Sequence, residues 1–148
     1  MEHKRGLFEL KEQRNADLMK TYRELVRSDL SRYGRIQSAT LMRRVVNANA
    51  SRYWVSSERA YAVMLKMLKG LDISFMKDNR RKFYESLYQD FIDCKRKHPQ
   101  LNARHIAEIV VARPAPCFPI TARVAKNIIY QEKEKCRKLR SLQYAHLR

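Results

Sequence analysis

The side chains best suited to bind a ligand are mainly cations that follow a proline-rich segment. Arg123, Lys126 and Asn127 come just after "PAPCFPIT" (114–121). Arginine and lysine can pair with phosphates or with guanine, and asparagine can pair with adenine. The threonine that ends the segment can cap a helix beginning near Ala122, and its N–H groups and positive dipole suit a phosphate. This pattern predicts a helix that presents nucleic-acid-binding groups at its start.

Further basic residues continue along the same predicted helix, in "YQEKEKCRKLR" (130–140). They are expected to contact phosphates without regard to sequence, which makes binding depend strongly on salt. The residues predicted to bind nucleic acid are therefore Arg123, Lys126, Asn127, Tyr130, Lys133, Arg137, Lys138 and Arg140. The alternative is that the C-terminal part is a solvated tail without a ligand.

The charge of the whole chain favours the same chemistry. Its 148 residues include 32 Lys and Arg against 15 Asp and Glu, a formal net charge of +17. Such an excess repels itself in the folded state and usually serves to meet a polyanion. DNA, RNA and an anionic membrane surface are the candidates, and a merely solvated basic surface is the alternative. The membrane is the weakest candidate, because no predicted helix has the strong apolar face that membrane attachment requires.

The residue patterns of catalytic and metal sites are missing. The four histidines form no H-E-x-x-H pattern, and three glycines are too few for a phosphate-binding loop. Cys94 and His98 share a predicted helix but lack two further metal ligands. Asp90 and Asp93 have no third acid nearby to indicate a two-metal nuclease. The sequence therefore predicts no enzyme, no metal, no cofactor and no small-molecule substrate.

Two further patterns indicate the cellular location of the protein. The three cysteines are widely spaced and form no C-x-x-C pair, which argues against a disulfide framework. No stretch resembles a signal peptide or a membrane span of about 18 apolar residues. The expected location is therefore the cytoplasm, with no membrane attachment.

Hydrophobic periodicity predicts an all-α protein of about six helices. Apolar residues recur at three- and four-residue spacing in almost every segment, as Leu18, Tyr22, Leu25 and Val26 do. Only 3 glycines and 4 prolines occur, which is few for a protein of strands and tight turns. After the first helix, the others are predicted to start near Ser38, Ser56 or Ser57, Asp78, Asn102 and Ala122. Their predicted caps are Ser38, Ser56 or Ser57, Asn102 and Thr121.

The sequence also repeats weakly at an offset of about 65 residues. The pairs that carry the repeat are Val45 with Val110, Val46 with Val111, Ala50 with Ala115, Tyr53 with Phe118, Ser56 with Thr121, and Ala60 with Ala125. Residue class is preserved across three helices and both connections. One compact domain, 1–148, is therefore predicted, with tri-helical units at 15–70 and 78–135 and a basic helical extension at 136–148.

A tri-helical unit whose third helix follows a capped corner resembles the helix-turn-helix class, in which that helix lies in the major groove. The resemblance is loose, because the usual turn has about three or four residues and each predicted corner has about eight. The second unit is expected to bind, since the first carries Glu58 where the second has Arg123, and a carboxylate repels phosphate. In the alternative interpretation, the corners only build a helical bundle.

The first corner also contains aromatic residues. Tyr53 and Trp54 lie beside Arg52 and could stack on unpaired bases. Aromatic residues in a corner more often belong to the core, so stacking on bases is the alternative interpretation.

Four stretches together resemble an uncharacterised family of short, basic, helical bacterial proteins. They are "RNADLMKTYRELV", "RRVVNANASRYWVSSERA", "HPQL" and "RPAPCFPIT", and the resemblance covers residues 14–137. It implies a bacterial source and a helical fold, but no activity and no functional residue.

The function predicted from the sequence is that of a non-enzymatic nucleic-acid-binding protein with an accessory or regulatory role. Double-stranded DNA is preferred over RNA as its partner. The alternative is a structural or interaction protein whose basic face contacts an acidic protein or an RNA–protein assembly. No oligomeric state is predicted.

Overall fold

The computed structural model describes residues 2–145 of the chain, with side chains from residue 6 onward. Within that range there are six helices, and the all-α prediction is confirmed. They are α1 (Glu2–Tyr33), α2 (Ser38–Asn47), α3 (Ser57–Leu68), α4 (Asp78–Lys97), α5 (Ala103–Val111) and α6 (Ala122–Ala145). Both ends of the predicted domain, at residues 1 and 148, lie outside the described residues. So do the last three residues of the predicted extension 136–148.

Side-chain caps mark the start of three helices. A cap accepts a hydrogen bond from one of the N–H groups that a helix leaves free in its first turn. The caps are Ser56 to the N–H of Arg59 (3.1 Å), Asn102 to that of His105 (2.9 Å) and Thr121 to that of Val124 (3.2 Å). These three predicted caps are confirmed, whereas Ser38 is the first residue of α2 rather than its cap.

The helices pack as two groups of three that do not follow chain order. One group contains α1, α2 and α6, and the other contains α3, α4 and α5. The predicted units at 15–70 and 78–135 are therefore not the packing units, because each third helix packs on the first two helices of the other half. α1 also begins at Glu2, well before the predicted start at 15, since no proline interrupts its first turns.

Two extended connections make this exchange possible. We call residues 48–56, between α2 and α3, the first corner, and residues 112–121, between α5 and α6, the second corner. An extended segment of this length can span about 30 Å, enough to carry a helix from one group to the other. The three prolines of the second corner keep it out of a helix, as predicted.

The corners run antiparallel and cross at two alanines. The N–H of Ala50 donates to the carbonyl of Ala115 (3.0 Å), and the N–H of Ala115 donates to the carbonyl of Ala50 (3.1 Å). Both residues are buried. Alanine suits this position because its methyl group lets two backbones approach. We call this pair of hydrogen bonds the crossing.

Each corner is also bonded to the end of the short helix of the other half. The N–H of Tyr53 donates to the carbonyl of Val111 (3.0 Å), and that of Phe118 donates to the carbonyl of Val46 (2.9 Å). The offset of about 65 residues converts one bond into the other, because it pairs Tyr53 with Phe118 and Val46 with Val111. They agree with a relation between the halves, although the tandem repeat itself stays a prediction.

The corners carry two aromatic rings into the core. Tyr53 and Phe118 are 1% and 0% exposed. The Tyr53 ring meets Phe83 edge to face at 5.3 Å, and its hydroxyl donates to Asp90 (2.7 Å) and bonds with Ser86 (2.6 Å). Burial raises the pKa of the Tyr53 hydroxyl, which stays protonated as a donor. Tyr53 is a core residue, so the alternative in which it stacks on bases is wrong.

A buried carboxylate joins the end of α1 to α2. Asp29 is 3% exposed, and its two carboxylate oxygens accept hydrogen bonds from the two terminal nitrogens of Arg44, at 3.0 and 2.8 Å. Asp29 also accepts the backbone N–H of Gln37, the residue that precedes α2, at 2.9 Å. Hydrogen bonds from Arg44 lower the pKa of Asp29.

The core position of Phe118 gives a stability prediction. Replacing Phe118 with alanine should lower the free energy of unfolding by about 3–5 kcal/mol, because it leaves a cavity where the second corner enters the core. Urea denaturation monitored by circular dichroism measures the change. Phe8→Ala is the matched control, since Phe8 is 61% exposed on α1 and should change stability by less than about 0.5 kcal/mol. Equal losses in both variants would contradict the assignment.

The Asp29 contacts predict how stability depends on pH. The pKa of Asp29 is lower in the folded protein than the value of about 3.9 in an unfolded chain. Its contribution is therefore complete above the unfolded value and is lost as pH falls through the folded value. Asp29→Asn should lower the urea midpoint at neutral pH, with a difference that shrinks below about pH 4. Asp93→Asn, at an exposed position of α4, controls for the lost charge, and a difference independent of pH would contradict the prediction.

Candidate nucleic-acid interface

The structure places all eight residues predicted to bind nucleic acid on α6, and all eight are exposed. The opposite face of the helix buries Ala125, Ile128 and Ile129, and α6 packs on α2 and α1. This packing follows from the crossing, which delivers α6 to the α1–α2 pair. α6 is therefore not the third helix of a unit built on α4 and α5, and the predicted helix-turn-helix-like arrangement is not observed.

Six of the eight residues form a stripe along α6. They alternate at three- and four-residue spacing, which keeps them on one side of a helix: Arg123, Lys126, Tyr130, Lys133, Arg137 and Arg140. We call this set the α6 stripe, and it is about 25 Å long at 1.5 Å per residue. Asn127 and Lys138 lie beside it.

The stripe differs along its length in what its side chains already contact. Arg123, Lys126 and Asn127 have no side-chain hydrogen bond or ion pair with any residue of the described chain. Lys133 donates to the Tyr22 hydroxyl (2.6 Å) and lies 4.5 Å from the centre of that ring. The start of the stripe is thus the part most open to a ligand, whereas Lys133 is held against α1.

Arg137 is paired within the helix. Its guanidinium lies 2.9 Å from the carboxylate of Glu134. This hydrogen bond raises the pKa of Arg137 and lowers the pKa of Glu134. Exposed pairs of this kind contribute little to stability, so Arg137 can exchange the carboxylate for a phosphate at small cost.

The second half of α6 extends beyond the packed body. Every residue from 135 to 145 is exposed, on all sides of the helix. The segment carries Lys138 and Arg140 together with the exposed apolar residues Leu139, Leu142 and Tyr144. A single projecting helix has the dimensions that the major groove of DNA admits.

A groove with a cavity volume of about 930 Å³ adjoins the start of α6. Its walls come from α2, the segment 75–77, the first turn of α4, residues 119–122 and Val124. Three exposed cations line it, Arg43, Lys77 and Arg80, together with the exposed ring of Phe75. We call it the Phe75 groove.

The basic residues outside α6 lie in separate regions of the structure. Arg43 and Lys77 share the Phe75 groove, whereas Arg44 is bound to Asp29. The basic run at 95–97 ends α4, about 27 Å along that helix from its start. Sequence reasoning missed Phe75, because the residue lies in a loop between helices and belongs to no periodic pattern.

Trp54 and Arg52 of the first corner are engaged in contacts within the protein. The indole N–H of Trp54 donates to the Asp17 carboxylate (2.8 Å), and the same carboxylate oxygen accepts the N–H of Ser51 (2.9 Å). The guanidinium of Arg52 lies 5.2 Å from the centre of the Trp54 ring. These contacts tie the first corner to α1, which is a structural role.

Comparisons with protein-family models, with curated proteins and with solved structures found no match. Among residues 2–145, no group of three or more His, Cys, Asp or Glu side chains is arranged to hold a metal ion. Nor does any helix in this range have the length and apolar character needed to span a membrane. Function is therefore inferred from the chemistry of α6 and its surroundings.

Proposed function

We propose that this protein binds double-stranded DNA through α6, without catalysis, in an accessory or regulatory role. The observation that carries the proposal is the α6 stripe, whose first residues point into solvent without partners in the described chain. A net charge of +17 adds the long-range attraction that brings a polyanion to such a surface. The proposal includes a bacterial source, which the resemblance found in the sequence implies, and a cytoplasmic location, which the cysteine spacing led us to expect.

The two parts of α6 are suited to different contacts. Arg123, Lys126 and Asn127 have the donors that pair with base edges in the major groove. Arg137 and Arg140 lie further along, where they would pair with phosphates and fix the register of the helix. Since α6 lies on α1 and α2 rather than on α5, the helix is presented by its own packing group and not by a helix-turn-helix.

The proposal also explains why one half of the protein would bind and the other would not. The start of α3 corresponds to the start of α6 in the predicted repeat, but Glu58 lies there in place of Arg123. Near that start, a groove of about 670 Å³ is lined by Glu58 and Glu108. We call it the Glu108 groove; one cation, Arg52, also lines it, so it is less basic than the groove beside α6.

A second candidate is an interaction protein that contacts an acidic protein or an RNA–protein assembly. The observation that favours it is the exposure of Leu139 and Leu142 on the projecting part of α6. Apolar residues at such a site are more useful against a protein than against a phosphate backbone. This candidate would be preferred if no nucleic acid binds near physiological salt.

The test of the proposal is the triple variant Arg123→Ala, Lys126→Ala, Asn127→Ala. Its affinity for duplex DNA should fall at least about tenfold near physiological salt, because base contacts are lost together with the positive charges of Arg123 and Lys126. The slope of log affinity against log salt concentration should become shallower by about two. Fluorescence anisotropy titrations at several salt concentrations measure both quantities.

The matched control replaces Lys95, Arg96 and Lys97 with alanine at the far end of α4. This variant loses one more cation than the first and should nevertheless keep duplex affinity within about threefold if these residues lie outside the interface. If the control loses as much affinity as the α6 variant, binding follows net charge alone. If the α6 variant binds like the wild type, the α6 assignment is wrong.

A further inference from the structure

Phe75 is held in solvent by an ordered loop. It is 74% exposed, although Ile73 before it is buried and Met76 after it packs against the core. The N–H of Met76 donates to the carbonyl of Ile73 (3.0 Å), and both polar groups of Ser74 bond to the Asp72 carboxylate (2.9 Å each). The ring is therefore displayed by a loop with anchored ends.

Cations from two parts of the chain line the same groove as this ring. Arg43 comes from α2, while Lys77 and Arg80 lie at the start of α4. No ion pair joins any of the three to a carboxylate in the part of the chain that is described. The acid of this groove, Asp78, is bridged to Arg81 (3.3 Å). The Phe75 groove is thus positively charged where its aromatic surface is exposed.

Apolar residues also line the groove, and hydrogen bonds join its walls. Val46 and Ile120 line it, and the amide of Asn79 donates to the carbonyls of Val46 (3.2 Å) and Phe118 (3.5 Å). These bonds fasten the start of α4 to the end of α2 and to the second corner. Its volume of about 930 Å³ is within the usual range of pockets that hold small ligands, about 300–1,000 Å³.

The Glu108 groove, which corresponds to the Phe75 groove in the predicted repeat, is lined by residues of different chemistry. In the offset of about 65 residues, Glu108 corresponds to Arg43, and Leu10 corresponds to Phe75. That groove is lined by Gly6, Leu7 and Leu10 of α1, whereas α4 begins only at Asp78. Of these two corresponding grooves, only the Phe75 groove combines an exposed aromatic ring with several cations.

We propose that the Phe75 groove binds an unpaired nucleotide of single-stranded DNA next to the duplex held by α6. The base stacks on Phe75, and Arg43, Lys77 and Arg80 pair with the adjoining phosphates. An exposed aromatic ring among cations is the combination that single-strand binding uses, while a paired base has no free face to stack. Thr121 and Val124, which flank Arg123, line the groove, so a strand leaving α6 enters it directly.

This inference rests on the proposed function, and it makes the preferred ligand a duplex with a single-stranded tail. The test compares the full-length protein and Phe75→Ala on blunt duplex DNA, on the same duplex with a single-stranded tail, and on single-stranded DNA. Phe75→Ala should weaken binding of the tailed and single-stranded probes about tenfold and leave the blunt duplex within about twofold. Phe75→Trp should restore binding, because its ring also stacks.

Phe8→Ala is the matched control, since Phe8 is also exposed on α1 and should leave all three affinities unchanged. A fluorescent base analogue in the tail provides a second measurement, because stacking changes its emission when wild-type protein binds and should not do so with Phe75→Ala. Unchanged binding of the tailed probe by Phe75→Ala would overturn the proposal, as would equal losses on tailed and blunt DNA. Tighter binding of single-stranded RNA than of the matching DNA would overturn its assignment to DNA.

The outcomes also separate this inference from the proposed function. If the α6 triple variant binds blunt duplex like the wild type while Phe75→Ala loses the single strand, the α6 assignment fails and the groove stands. If the α6 variant loses the duplex while Phe75→Ala keeps the tail, the groove assignment fails and the proposed function stands.

Discussion

The crossing of the two corners is the contact on which the rest of this structure depends. The helices pack mainly within their own groups of three, so the groups are joined through the corners and the residues they carry. Ala50 and Ala115 exchange backbone hydrogen bonds at the crossing, and Tyr53 and Phe118 enter the core on either side of it. Because the crossing delivers α6 to the α1–α2 pair, it also determines which face of α6 is buried and leaves the α6 stripe in solvent.

The crossing also brings the candidate binding elements together. The second corner leads directly into α6, and Asn79 bonds to that corner and to the end of α2, so the starts of α4 and α6 are fixed beside each other. The Phe75 groove lies between them. Corresponding positions in the other half carry carboxylates and are lined by α1. The two halves thus share a way of packing but differ in the lining of this groove, because three cations line the Phe75 groove whereas one cation and two carboxylates line the Glu108 groove.

Much of the local structure could be predicted from the sequence, because helix periodicity and caps are short-range properties. Ser56, Asn102 and Thr121 cap helices as predicted, and Tyr53 and Phe118 of the corners lie in the core. The exchange of α3 and α6 could not be predicted, since an apolar face such as Ile128 and Ile129 shows that a helix side is buried but not which helices cover it. Phe75 gave no signal, because its role depends on Arg43, which is distant in the sequence and near only in the fold.

Backbone amide chemical shifts of the isotope-labelled full-length protein, with and without duplex DNA that carries a single-stranded tail, test the central claim most directly. They locate the ligand on the surface without any substitution. We expect the largest changes at residues 121–140, which contain the α6 stripe, and at residues 75–80, which form one wall of the Phe75 groove. Changes centred on residues 95–97 or on the Glu108 groove, with α6 unaffected, would contradict the account.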